Sequence, residues 1–213
     1  MDTDDLGGHG SDAALDAFLE RTQSYLESVA CDRTARHELS AVLAGWPRDR
    51  RTSSGKPSTV PACDHLATAL RLSQEQSTAA LCDALLPVLH RLGWSYGYSP
   101  DPRWPSLSAT IAFAQIVGPR GLRDDASVHL GLTLLAPHTH YPLHSHPAVE
   151  LYLVLSGTAA WRVSGHPFEP RPPGSLILHE SQIGHAMETS SEPLLALYTW
   201  RGDLTTAPVY VEE

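Results

Sequence analysis

The amino-acid sequence predicts a mainly β protein, a sandwich or barrel of short strands carrying an N-terminal helical extension. Three observations predict it. Apolar residues recur at steps of three, four and seven in the first half; from residue 105 the chain breaks into short apolar runs bounded by turn residues; and 213 residues suffice for one core with a modest addition. The expected division is residues 1–104 as the helical extension packing on the barrel and residues 105–213 as the barrel with its site. Lys+Arg 15 against Asp+Glu 24 leaves a formal charge of −9. That composition offers no basic footprint for a nucleic-acid backbone. No apolar run approaches the roughly 20 residues of a membrane span, and the acidic, Gly-rich start is unlike a signal peptide. A cytoplasmic protein with neither nucleic acid nor membrane as partner is expected. Cys31, Cys63 and Cys82 are odd in number and widely spaced, which suits reduced, packed thiols rather than a disulfide framework or thiolate metal site.

The elements follow in order. Leu15, Phe18, Leu19, Tyr25, Leu26 and Val29 mark an amphipathic helix over residues 12–30, capped by Ser11 or Asp12. A second helix over residues 34–44 stops at Gly45-Trp46-Pro47, since proline cannot continue the ladder. Residues 48–61, charged and then rich in Ser, Gly, Thr and Pro, read as a mobile surface connection. Helical patterning returns over residues 62–72 and 74–92, bent at Pro87 and closed by Gly93. Strands are expected at 107–117, 127–136, 144–155, 159–163, 175–179, 185–189 and 194–200. Short strands at this spacing build a sandwich or barrel, and an eight-stranded barrel holds one small ligand in its mouth.

Within the expected strand 144–155, His144, His146, Glu150 and Tyr152 share even parity, so on an extended chain they project from one face. His185 follows the next strand-and-turn block. Three imidazoles and one carboxylate can converge on a single divalent metal ion, and this donor set admits manganese, iron, zinc, cobalt or nickel.

His144-x-His146, Glu150 three residues on and Gly157 six further resemble the first motif of the cupin superfamily, and Gly174 followed by His185 has the spacing of the second. The resemblance implies a double-stranded β-helix, or jelly-roll, barrel. Departures stand at four positions. His138 replaces the usual glycine before the first histidine, Glu180 and Gln182 replace the internal proline and glycine of the second motif, and Thr189 replaces its terminal asparagine. A narrower similarity lies in Tyr141-Pro-x-His144-x-His146-Pro-Ala-x-Glu150-x-Tyr152, Gly-x-x-His185-Ala-Met and Tyr198-x-Trp200-Arg-Gly-Asp203. Together these are similar to bacterial cupin-type dimethylsulfoniopropionate lyases, which cleave their zwitterionic substrate to dimethyl sulfide and acrylate with a bound divalent metal. The tyrosines flanking the metal motif are the discriminating marks, because neither belongs to the general cupin pattern. The resemblance implies His144, His146, Glu150 and His185 as metal ligands, Tyr152 as catalytic base and Tyr141 assisting it. A homodimer, common in the superfamily, is compatible with an exposed barrel edge.

Elementary chemistry agrees with those roles. The proton to be removed is next to a carboxylate and very weakly acidic, so the developing enediolate charge needs a Lewis acid. A phenol with an ordinary pKa of about 10 is a poor base at neutral pH, and a neighbouring cation favours its phenolate. The sulfonium can rest on aromatic faces, contacts worth roughly 0.5–2 kcal/mol each. Tyr198 and Trp200, of like parity on the last strand, are the expected pocket faces, with Trp161 joining them if it turns inward. The competing readings are another metal-dependent cupin enzyme, an oxygenase or an isomerase of a small acid, and a non-enzymatic ligand sensor. An oxygenase needs no phenolate base, and the acidic helical half argues against the sensor.

Overall fold

The computed structural model describes residues 5–47 and 55–212, with side chains from Ala13 onward. Helices α1 (Asp5–Ser28), α2 (Arg33–Ala44), α3 (Leu66–Leu72) and α4 (Ala79–Leu89) precede a short strand, β1 (Trp94–Ser95), and one helical turn, α5 (Leu107–Thr110). Ten strands complete the chain: β2 (Ile111–Val117), β3 (Val128–Leu135), β4 (His140–Ser145), β5 (Val149–Ser156), β6 (Ala159–Val163), β7 (Glu169–Arg171), β8 (Leu176–His179), β9 (His185–Thr189), β10 (Leu194–Arg201) and β11 (Val209–Tyr210). They form a six-stranded sheet, β1-β2-β3-β10-β5-β8, and a five-stranded sheet, β11-β4-β9-β6-β7. From β3 onward the chain crosses from one sheet to the other at every step except the β6–β7 hairpin, and all the paired strands are antiparallel. That alternation is the winding of a double-stranded β-helix, so the fold is a cupin barrel with helices at its N-terminal end.

Strand period explains where the core lies. On β5, Leu151, Leu153 and Leu155 face outward and pack with Leu15, Phe18, Leu26 and Leu39 of the helices, while Tyr152 and Val154 face the barrel interior. β10 repeats the division, Leu195 and Leu197 outward and Leu194 and Ala196 inward. A sheet covered on both faces loses the apolar–polar alternation of a half-solvated one, which is why β3 is buried throughout. Polar links tie the helical layer down. Arg201 donates to both carboxylate oxygens of Glu38 at 2.7 Å, and the Thr78 hydroxyl donates to the Leu155 carbonyl at 2.6 Å.

Several expected boundaries shift for identifiable reasons. α1 begins at Asp5 and runs through Ser11 and Asp12, the expected caps, whose side chains lie outside the described residues. Residues 48–54 of the expected mobile connection lie outside them as well. Its remainder is pinned: Ser58 N donates to Leu92 O at 3.3 Å and accepts at its own carbonyl from Trp94 N at 3.0 Å. Ser73–Glu75 form a separate 3-10 turn ahead of α4. Residues 107–110 are helical, and the strand starts only at Ile111. The expected single strand 144–155 breaks at residues 146–148 into β4 and β5, which belong to different sheets.

The departures from the cupin glycine pattern are visible in the backbone. His138 and Gln182, standing where the motifs carry glycine, have φ of 55° and 65° and are the only non-glycine residues of positive φ among those described. Neighbouring hydrogen bonds hold both in that region. His138 N donates to Ser190 O at 2.7 Å and Thr139 N to Thr189 Oγ1 at 2.9 Å, while Gln182 N donates to His146 O at 2.9 Å. Thr189, in place of the motif asparagine, also donates to Ala136 O at 2.6 Å. Gly157 retains the motif glycine because φ is +72° and a Cβ there would lie 2.0 Å from Pro193 O.

Three substitutions test this account by chemical denaturation. Leu153→Ala, removing a side chain 1% exposed between sheet and helices, should cost about 2–5 kcal/mol, whereas Leu86→Ala, at a site 49% exposed, should change stability by less than about 0.5 kcal/mol. Gln182→Gly should leave stability unchanged or raise it by up to about 1 kcal/mol, against the usual sign for a glycine substitution, by relieving the left-handed backbone.

Candidate metal centre

The two sheets bring the polar residues together across the barrel interior. β4 carries Tyr141 and His144, the turn after it carries His146, and β9 begins with His185, paired across the ladder with His144. From the opposite sheet β5 contributes Glu150 and Tyr152, β8 ends at His179 directly opposite Glu150, and β10 sets Trp200 on its other side. A register shift between Tyr141 and His144 puts these two residues of unlike parity on one side, with their rings stacked at 4.0 Å. Pro142 lies within that irregularity.

Glu150 is the hub. Its Oε2 lies 3.0 Å from His146 Nε2, 3.4 Å from His185 Nε2 and 3.7 Å from His179 Nδ1, and its Oε1 accepts from Trp200 Nε1 at 2.6 Å. Ligand atoms of His146, Glu150 and His185 all lie within 4.8 Å of one another. His144 stands beside this trio, its ring centroid 4.1 Å from that of His185. The rings are oriented from behind. His144 Nδ1 meets Pro142 O at 2.9 Å, His146 Nδ1 meets Ala148 O at 3.0 Å, and His185 Nδ1 meets Ile183 O at 3.0 Å. A carbonyl accepts only from N–H, so each Nδ1 carries a proton and Nε2 is the nitrogen left to serve a cation, at His146 once the proton it shares with Glu150 is released. His185 Nε2 is buried with no hydrogen-bond partner, the condition of a nitrogen placed for a cation rather than for its protein neighbours.

The electrostatics follow from burial. Burial and the neighbouring His185 push the pKa of His144 well below its ordinary value, and burial with His185 carries His179 down to about 4. For His146 burial opposes the cation, but the hydrogen bond and charge of Glu150 outweigh it and the pKa is raised. Glu150 would be pushed up by burial, yet the hydrogen bond from His146 and the close approach of His179 and His185 hold it well below the usual carboxylate range. Burial first and the Glu150 charge next raise the Tyr152 phenol, while burial and the adjacent Tyr98 raise Tyr141.

These groups open onto a cavity of about 510 Å³. Tyr141, Tyr152, Tyr198 and Trp200 line it together with His144, His146 and Glu150. Tyr152 lies within 3.4 Å of Thr133 Oγ1, and the Tyr141 hydroxyl is hydrogen-bonded to that of Tyr98. Trp161 does turn inward, but it fills the barrel behind Tyr152, at 4.8 Å between ring centroids, and does not line the cavity. Sequence reasoning passed over several contributors. Tyr98 and Phe113 supply cavity walls, and Tyr98 comes from the loop after β1, before residue 105. His179 and His129, given no role from the sequence, lie respectively against Glu150 and on the cavity wall. No motif spacing marks either one. Only the cross-strand register Glu150↔His179 would have exposed the first.

A family model described as dimethylsulfoniopropionate lyase matches residues 32–196. The chain belongs to that family. DddL of Cereibacter sphaeroides, named for the same lyase activity, is 36% identical over 148 residues, covering 68% of this chain and 61% of DddL, so the match spans under two thirds of that relative's length. The dimethylsulfoniopropionate lyase DddQ of Ruegeria pomeroyi is 28% identical over 194 residues, 90% of this chain and 96% of DddQ. Among solved structures of the family, a chain from the crystal structures of the DMSP lyases RdDddP and RnDddQII superposes with a TM-score of 0.76 at 27% identity, over 94% of this chain and 98% of that one. The crystal structure of Ruegeria pomeroyi DddQ gives a TM-score of 0.68 at 26% identity, over 94% and 97% of the two chains. No helix among the described residues is long and apolar enough to cross a membrane.

Proposed function

We propose that the protein is a metal-dependent lyase that converts dimethylsulfoniopropionate to dimethyl sulfide and acrylate by tyrosine-assisted β-elimination. The observation that carries this reading is the set of His144, His146 and His185 rings, each fixed by an Nδ1–carbonyl contact that leaves Nε2 for a cation, around the buried Glu150 carboxylate. These four residues would hold one divalent cation, whose contribution when bound is Lewis-acid stabilisation of the charge that develops on the substrate carboxylate. The chain's own residues do the rest. Tyr152, fully buried on the strand that carries Glu150, takes the proton from the carbon next to that carboxylate. The electron pair released forms the new double bond, and the carbon–sulfur bond breaks with its pair remaining on sulfur. Neutral dimethyl sulfide departs, so no general acid is needed.

Without a cation, Tyr152 is held protonated by burial and by the Glu150 charge; a bound cation would offset that charge and favour the phenolate. Tyr141, stacked on His144 and hydrogen-bonded to Tyr98, assists from the facing sheet. Tyr198 and Trp200 offer aromatic faces to the sulfonium. Gly131 makes room for Tyr198, since a Cβ at that position would lie 2.5 Å from the phenol oxygen.

Headspace detection of dimethyl sulfide from protein loaded with manganese, iron, cobalt or zinc tests the activity, and chelation should abolish it. No product with any of these metals would shift the reading to another metal-dependent cupin enzyme. Tyr152→Phe should lower kcat by at least about 100-fold, the scale of one acid–base group, while KM and metal content stay near wild type. Full turnover in Tyr152→Phe with a dead Tyr141→Phe would instead make Tyr141 the base. Metal uptake should also release a proton. His146 has a raised pKa and must be neutral to donate, so affinity should weaken progressively as pH falls through that raised value, approaching about tenfold per pH unit below it. Calorimetry in buffers of different ionisation enthalpy measures this, and proton-neutral binding would refute it.

A further inference from the structure

Glu150 is approached by four imidazoles or their neighbours, and one of them is built differently from the rest. His144, His146 and His185 each turn Nδ1 away, onto a backbone carbonyl two residues along the chain, at 2.9, 3.0 and 3.0 Å respectively. His179 has no such contact. Its Nδ1 has no hydrogen-bond partner, and it is this nitrogen that faces Glu150 Oε2 at 3.7 Å. The ring has little freedom to face elsewhere. It stacks on His185 at 3.8 Å with an 18° angle between planes, has Tyr152 and Trp161 at 5.8 and 6.0 Å, and is 1% exposed. The β5–β8 ladder fixes it across from Glu150 residue for residue.

A ring nitrogen facing a carboxylate, with no other acceptor near, is favourable only as N–H, because a lone pair there would oppose a negative oxygen. The three anchored rings are built the other way round, with Nδ1 committed to a carbonyl and Nε2 the nitrogen left for the centre. We infer that His179 is a positioning residue, a proton-bearing imidazole that holds Glu150 by Oε2 while Trp200 holds it by Oε1. Between them the two donors set the carboxylate's orientation before a cation arrives. At 3.7 Å the contact is longer than a hydrogen bond and acts through charge and dipole. The inference rests on the proposed metal-binding role of Glu150.

The test compares His179→Asn, whose side-chain amide keeps an N–H near the place of Nδ1, with His179→Leu, which removes the donor. Cobalt(II) affinity is read by competition with a chromophoric chelator, the ligand field by visible absorption, and folding by thermal melting of the metal-free proteins. His179→Leu should lose about 10–100-fold in cobalt affinity, the usual effect of removing a partner behind a ligand, and His179→Asn should stay within about threefold of wild type with the same absorption bands. Equal losses in both variants with altered bands would make His179 a ligand, and wild-type affinity in both would leave it without a role; either result overturns the inference. Should the Leu variant fail to fold, X-ray absorption of the wild-type cobalt protein decides. Three coordinated imidazoles support the positioning role and four overturn it. A wild-type protein that takes up no cobalt brings down the metal reading itself, an outcome distinct from one in which the wild type binds and the variants do not separate.

Discussion

A carboxylate, 1% exposed, sits inside a barrel, and much of the architecture around it answers the cost of that burial. An ionised group away from water is stable only if donors or cations replace its hydration. Glu150 has both: an indole N–H on one oxygen, and imidazoles ranged around the other. The histidines in turn are held by backbone carbonyls, so the constraint is passed outward to the main chain of the turn at residues 146–148 and of the loop before β9. Those two segments are themselves joined, Gln182 N to His146 O at 2.9 Å and Ser181 Oγ to Pro147 O at 2.7 Å. The left-handed Gln182 is part of this chain of support. The backbone strain at that position accompanies a hydrogen bond that fixes the carbonyl of a candidate ligand.

The helical half belongs to the same economy of structure. It seals the outer face of the six-stranded sheet, so β5 can devote one face wholly to leucines and the other to Glu150, Tyr152 and Val154. It also reaches the site. β1 adds an edge to that sheet, and the loop after it delivers Tyr98 to the hydroxyl of Tyr141. Tyr210 of β11 stacks on Tyr98 at 4.8 Å, so β11 braces a ring that lines the cavity.

Side chains of like parity between residues 144 and 152 become neighbours in space by a route other than one extended strand. His144, His146, Glu150 and Tyr152 do meet, but not on the face of one extended strand. The chain turns at His146-Pro147-Ala148 and the two halves enter opposite sheets. Period-two projection survived because both strands present the same parity to the space between the sheets. Tyr141 follows the opposite logic. Its odd position becomes an inward one only through the irregularity that includes Pro142, where proline supplies no ladder donor.

Read alone, the sequence determined the helical and strand-rich halves, the pairing of a His-x-His…Glu segment with a later histidine, the flanking tyrosines, and the positions where glycine was missing from the expected pattern. Each of these is a local signal, carried by periodicity or by spacing along the chain. What only tertiary structure decided is which distant groups share the carboxylate. His179 and the Trp200 indole reach the carboxylate from separate strands, and Tyr98 and His129 reach the cavity from two other elements; of these the sequence singled out only Trp200, as an aromatic face and not as a donor to Glu150. The physical reason is that a buried charge selects its partners by distance through space, and the sheet register that sets this distance is a property of the assembled barrel.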